Sequence, residues 1–219
     1  MSTSTAATAR FEPLGALSPI RAVVFDVGET LVDEQRYWRE MADAAGVGPH
    51  VVWAALGKTI ERGEEHWELW GHLGVERPLA WEGLVYSTDD LYPDARECLE
   101  RLREAGMVVG LAGNQNEQLE RWARSAGLPV DVVTGAASLG VQKPDPAFFH
   151  RLVDLAGTEP GEVAYVGDRA DNDALPALAA GLVAVHLRRG PWGMLQATPV
   201  GAIAVESLAE VPDALASRE

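Results

Sequence analysis

The stretch RAVVFDVGET, residues 21–30, decides how the rest of the chain is read. Its apolar run Ala22–Phe25 has no polar alternation, the pattern of a short strand buried on both faces of a parallel sheet. The run stops at Asp26, followed by Val27, Gly28, Glu29 and Thr30. A carboxylate just past the carboxyl end of a buried strand stands where open α/β sheets bind their ligands.

Outward from this stretch the same pattern recurs. Short strand-like runs occur at Val108–Leu111, Val130–Val133, Val163–Val166 and Val183–Leu187, with a weaker one at Ala202–Val205. Helical patterns lie between them at Asp94–Glu104, Glu117–Ser125, Pro146–Ala156 and Asp173–Ala180. The first three are each followed by a glycine stop signal, Gly106, Gly127 or Gly157. Strand and helix in alternation predict an α/β fold with a doubly wound parallel, Rossmann-like sheet. Residues 34–90 break the alternation: helical stretches at Tyr37–Ala45, Val51–Arg62 and Glu64–Leu73 occur without a strand. We therefore expect an α/β core over residues 19–33 and 91–219, an all-helical cap over 34–90 inserted after the first strand, and a flexible tail over 1–18. The cap holds Trp38, Trp53, Trp67, Trp70 and Trp81. Large side chains are what a small helical unit needs for its own core; a pocket wall is the alternative.

Composition narrows the function. The chain has 219 residues, 47% of them hydrophobic, and a mean hydropathy of -0.05, enough for a sizeable core. With 18 basic against 33 acidic residues its formal charge is -15, which disfavours nucleic acid and anionic membranes as partners. The lone Cys98 has helical apolar neighbours and reads as a core residue. No membrane span or secretory signal is recognisable, so a soluble, cytoplasmic protein is expected. Lys58 and Lys143 are the two lysines; every other cation is arginine.

Chemistry-bearing residues fall at strand ends. Gly113 and Asn114 follow the second strand, and Gly167-Asp168-Arg169-Ala170-Asp171-Asn172-Asp173 follows the fourth. Lys143-Pro144-Asp145-Pro146 opens a helix between the third and fourth. The segments FDVGETLVD, YPDARECLERLREAG, GLAGNQ, VQKPDPAFF and VGDRADND, in this order between Ile20 and about Gly193, resemble the haloacid dehalogenase-like (HAD) hydrolase superfamily, phosphatase type with a helical cap. The resemblance implies Mg²⁺-dependent hydrolysis of a small phosphorylated metabolite through an aspartyl phosphate on Asp26. It further implies that Lys143 supports Asp26, that Asp168 holds Mg²⁺ with Asp173 beside it, and that the Gly28 carbonyl and Asp26 complete the metal site. These types suit the task, because a divalent cation and a compact lysine charge offset the repulsion between carboxylate and phosphate.

Two positions depart from the family pattern. Gly28 stands where the family carries a second aspartate that moves the leaving-group proton, help worth roughly 10²–10⁴-fold. Gly113 stands where a Ser or Thr binds the phosphoryl group, leaving Asn114 or backbone N–H groups for that contact. Glu29 neighbours Gly28 but is expected to point elsewhere. Gly28→Asp is accordingly expected to raise phosphatase activity. A dehalogenase-type hydrolase, with Asp26 attacking carbon, and a non-catalytic binding protein on the same fold are the alternatives. Arg36 and Arg39 read as a solvated helix face, the His66/His72 pair does not match metal-ligand spacing, and Arg188-Arg189-Gly190-Pro191-Trp192 reads as a charged strand-end turn.

Overall fold

A computed structural model describes residues 19–79, 83 and 85–217. The expected tail over 1–18 and Trp81 lie outside the described residues. Six parallel strands, β1 (Ala22–Phe25), β2 (Val108–Leu111), β3 (Val132–Val133), β4 (Val163–Gly167), β5 (Val183–Leu187) and β6 (Ile203–Val205), form one sheet in the order β3-β2-β1-β4-β5-β6. The expected third strand is shorter than the sequence suggests. Val130 instead forms a local turn by donating its N–H to Leu128 O.

The period-2 alternation of a strand sorts β1 onto two faces. Val23 and Phe25 join a core with Leu99 and Leu102 of α4 (Ala95–Glu104), whereas Ala22 and Val24 join Phe148, Phe149 and Leu152 of α7 (Pro146–Ala156). Both faces are covered, which is why the strand sequence lacks polar positions. Cys98 lies in the first of these cores.

Between β1 and α4 the chain forms α1 (Gln35–Ala44), α2 (Pro49–Glu61) and α3 (Glu68–Leu73). They share a separate core of Trp38, Met41, Val52, Leu56, Leu69 and Trp70. Trp192, from the short α9 (Gly190–Leu195) after β5, is buried in the same core and ties it to the sheet. Trp38, Trp70 and Trp192 are thus buried in packing, with Trp53 partly buried against them. The remaining helices are α5 (Glu117–Ser125), α6 (Ala136–Leu139), α8 (Leu175–Ala179) and α10 (Val211–Ala216). The expected helix at Asp173–Ala180 is split, with a π-type turn at Ala170–Ala174 preceding α8. Among the described residues no helix is long and apolar enough to cross a membrane.

Candidate active site

Strand order reverses at β1, whose neighbours are β2 and β4, so the carboxyl end of β1 opens into the crevice between two oppositely running halves. Asp26 sits there, its N–H donating to Val166 O at 2.9 Å. Lys143 Nζ lies 2.9 Å from Asp26 Oδ1 and 2.5 Å from Asp173 Oδ1. The loop before α7 delivers the lysine, and Asn114 clamps that loop. Lys143 N donates to Asn114 Oδ1 at 2.7 Å, and Asn114 Nδ2 donates to Lys143 O at 3.0 Å. Asp145 then starts α7 by accepting the Ala147 N–H. The structure therefore gives Asn114 a positioning duty that competes with the phosphoryl contact expected of it.

Asp173 is held in turn by the Arg169 N–H, which donates to its Oδ2 at 3.0 Å within the π-type turn. Lys143 is 2% exposed and its ammonium also lies 5.3 Å from the Tyr165 ring centre. Burial alone would lower its pKa, but the charges of Asp173 and Asp26 outweigh that and hold it well above the usual lysine range. Asp26 is shifted upward by burial, with Lys143 opposing.

Oxygen atoms of Asp26, Asp168 and Asp173 lie within 4.8 Å of one another. Asp168 is 2% exposed, and its Oδ2 is buried without a hydrogen-bond partner. Burial, then Asp173 and Asp26, push its carboxyl well above the ordinary range. An orphaned carboxylate oxygen facing two more carboxylates is an all-oxygen, under-neutralised donor set, and it fits a hard divalent cation such as Mg²⁺. His186 fixes the loop behind it, with Nε2 3.0 Å from Asp168 O.

Both glycines that depart from the family pattern are filled from elsewhere. A Cβ on Gly28 would stand 2.5 Å from Glu34 Oε1, 3.0 Å from Glu34 Cδ and 3.2 Å from Tyr86 Oη. The Tyr86 hydroxyl donates to that same Oε1, and burial pushes Glu34 up to about 7 against the lowering effect of this bond. A Cβ on Gly113 would overlap Asp26 Oδ1 and stand 2.6 Å from Gln115 Nε2. Glu34, Tyr86 and the buried Gln115 escaped the sequence reading because no spacing links them to these glycines; folding alone brings them there. The Gly28→Asp expectation changes too, since the added side chain meets Glu34.

Glu29 adopts a left-handed φ of 51° and is buried, accepting from Tyr92 Oη at 2.8 Å and from the Glu34 N–H at 3.2 Å. It thus braces Glu34. Asp26, Gly28, Glu34, Tyr86, Lys143 and Asp168 open into one cavity of about 460 Å³. Its lining also includes Tyr37, Trp38, Trp67 and Trp192 with His66, Arg77 and Arg169. Arg36 is a structural tie: its guanidinium binds Asp90, Glu40 and Val85 O. Arg39 is exposed, and His72 pairs with Glu64. Arg189 binds Asp94 and covers the Tyr92 ring at 4.1 Å, while Arg188 lies 3.6 Å from Glu206.

Residues 20–181 match the family described as haloacid dehalogenase-like hydrolase. The chain is 35% identical over 105 residues to a glyceraldehyde 3-phosphate phosphatase of Methanopyrus kandleri, covering 46% of this chain and 45% of that protein. It is 34% identical over 89 residues to (S)-2-haloacid dehalogenase 4A of Burkholderia cepacia, covering 39% and 38%. The chain thus matches less than half the length of either relative. A dehalogenase crystal structure, 25% identical, superposes with a TM-score of 0.64 over 88% of this chain and 95% of that one.

Proposed function

Since the chain belongs to the haloacid dehalogenase-like hydrolase family, we propose that it hydrolyses a small phosphorylated metabolite with Asp26 as the covalent nucleophile. The observation that carries this reading is the pairing of Asp26 with Lys143 beside the unpartnered Asp168 Oδ2. Attack on carbon would need no cation here and would leave that buried oxygen unsatisfied, a cost of about 1–3 kcal/mol or more. Asp26, Asp168 and the Gly28 carbonyl would hold Mg²⁺; Asp173, already bound to Lys143 and Arg169 N–H, stands at the edge of this set. When bound, the cation would supply charge to offset the repulsion between carboxylate and phosphate.

The chain's own residues account for the rest. Lys143, locked between Asp173 and Asp26, keeps the nucleophile oriented and neutralises the phosphoryl group as it arrives. Asn114 fixes Lys143 through its backbone, and Gln115 Nε2, beside Gly113, supplies a donor near the phosphoryl oxygens. Asp26 oxygen attacks phosphorus, the bond to the leaving oxygen breaks, and an aspartyl phosphate forms. Water then attacks phosphorus, releasing inorganic phosphate and the Asp26 carboxylate. The helices of residues 34–90 act as the cap, and the aromatic and arginine wall they share with Trp192 and Arg169 receives the organic part of the substrate. A cytoplasmic setting and the lack of nucleic-acid or membrane partners belong to the same reading.

Hydrolysis of para-nitrophenyl phosphate with and without Mg²⁺ tests it. The expected result is Mg²⁺-dependent turnover that Asp26→Asn abolishes. Halide release from a short 2-haloacid in the presence of a chelator would instead favour attack on carbon.

A further inference from the structure

We propose that Glu34 is the catalytic residue that passes protons to the leaving group and from the attacking water, its carboxyl occupying the space that Gly28 leaves open in the cavity shared with Asp26. This deepens the proposed phosphate hydrolysis and rests on it.

Gly28 is not among the glycines with positive φ, so its backbone accepts an ordinary side chain. What fills the space is the Glu34 carboxyl, with Oε1 at 2.5 Å and Cδ at 3.0 Å from where a Cβ would stand. Asp26, Gly28 and Glu34 face the same cavity. One contact holds the carboxyl itself and two hold the Glu34 backbone behind it. Tyr86 Oη donates to Oε1, the Glu34 N–H donates to Glu29 Oε1 at 3.2 Å, and Trp38 N–H donates to Glu34 O at 2.9 Å as α1 begins. Glu29 is itself pinned by Tyr92. A carboxyl so braced is a built feature of the crevice rather than a surface side chain.

The proton balance closes around one group. When Asp26 forms its bond to phosphorus and the phosphorus–oxygen bond to the organic group breaks, the departing oxygen takes the Glu34 carboxyl proton and leaves as an alcohol. Glu34, now a carboxylate, accepts a proton from the water that attacks the aspartyl phosphate. The phosphorus–oxygen bond to Asp26 breaks, phosphate departs, and both carboxyl groups return to their starting states. Nitrophenolate needs no proton to leave, so the first step with para-nitrophenyl phosphate does not depend on Glu34; the second step does.

Rapid-mixing kinetics of Glu34→Gln with Mg²⁺ separate these steps. The expected trace is a nitrophenolate burst of about one per protein followed by steady turnover lowered about 10²-fold or more. On a simple alkyl phosphate the variant is expected to lose both burst and turnover. Glu34→Ala should lose turnover likewise, and adding Gly28→Asp to it should restore at least about tenfold, because truncation removes the two closest obstructing atoms and leaves Tyr86 Oη at 3.2 Å. Turnover by Glu34→Gln within about threefold of wild type on both substrates would overturn the proposal while leaving the Asp26 mechanism standing. So would equal loss of burst and turnover without rescue by the double variant. A wild-type protein that hydrolyses neither phosphate would overturn both readings together.

Discussion

At Gly113 the proposed nucleophile is packed so tightly that any side chain would overlap Asp26 Oδ1. The glycine therefore reads as a steric requirement of this site. Gly113→Ser, which would add the hydroxyl that the family pattern calls for, is expected to displace Asp26 and lower kcat/KM about 10²-fold. A gain in kcat/KM would show instead that Asp26 and Gln115 yield easily. In the wild-type background Gly28→Asp is likewise expected to lower activity, through the clash with Glu34. Asp26, Lys143 and Asp168 were legible in the sequence because each follows a strand or opens a helix, and strand ends converge on one edge. Glu34 and Gln115 were not. Their relation to the glycines is one of side-chain reach across turns, and no period in the sequence encodes it.

The secondary elements that the sequence makes plain are those with enough length to show a period. β1, α5 and α7 have the bounds their patterns predict. α6, α9 and α10 were missed because four to six residues hold fewer than two helical turns, too little for a repeat to register. α9 matters most, for it carries Trp192 into the core of α1–α3. Trp192→Ala is expected to cost about 3–5 kcal/mol in urea unfolding; a change under 1 kcal/mol would mean that the helical unit is held otherwise. The same packing governs His66, which meets Trp192 and Trp38 edge-on. Burial, then Arg169 and Arg77, push His66 down to about 4 from 6.5. Because the folded value is the lower one, the unfolded chain binds the proton first as pH falls. Its contribution is thus complete above about pH 6.5 and lost on the way to about pH 4, by roughly 3 kcal/mol. Urea midpoints of wild type and His66→Gln at pH 7 and pH 4.5 should show the smaller drop in the variant. Equal drops would place the His66 ring in solvent.

Across the whole molecule the charge of -15 has two consequences. Its surface would give the proposed phosphorylated substrate little attraction, so capture would depend on local charge, with the buried Lys143 beside Asp26. The same excess favours cations generally, and specific binding must be separated from that background. A cation that binds only the folded protein raises its stability. Mg²⁺ is expected to raise the melting temperature of the wild type, more than it raises that of Asp168→Asn at equal ionic strength. An identical rise in both would assign the effect to the surface.

The claim on which all of this depends is a phosphoryl group carried by Asp26. Acid-quenching the protein during turnover of para-nitrophenyl phosphate with Mg²⁺, then mapping its peptides by mass spectrometry, tests that claim directly. Glu34→Gln, in which the second step should be slow, offers the best chance of trapping the intermediate. Phosphorylation is expected on Asp26, absent without Mg²⁺ and absent in Asp26→Asn. Steady nitrophenol release with no phosphorylated Asp26 at any quench time, in either the wild type or Glu34→Gln, would contradict it.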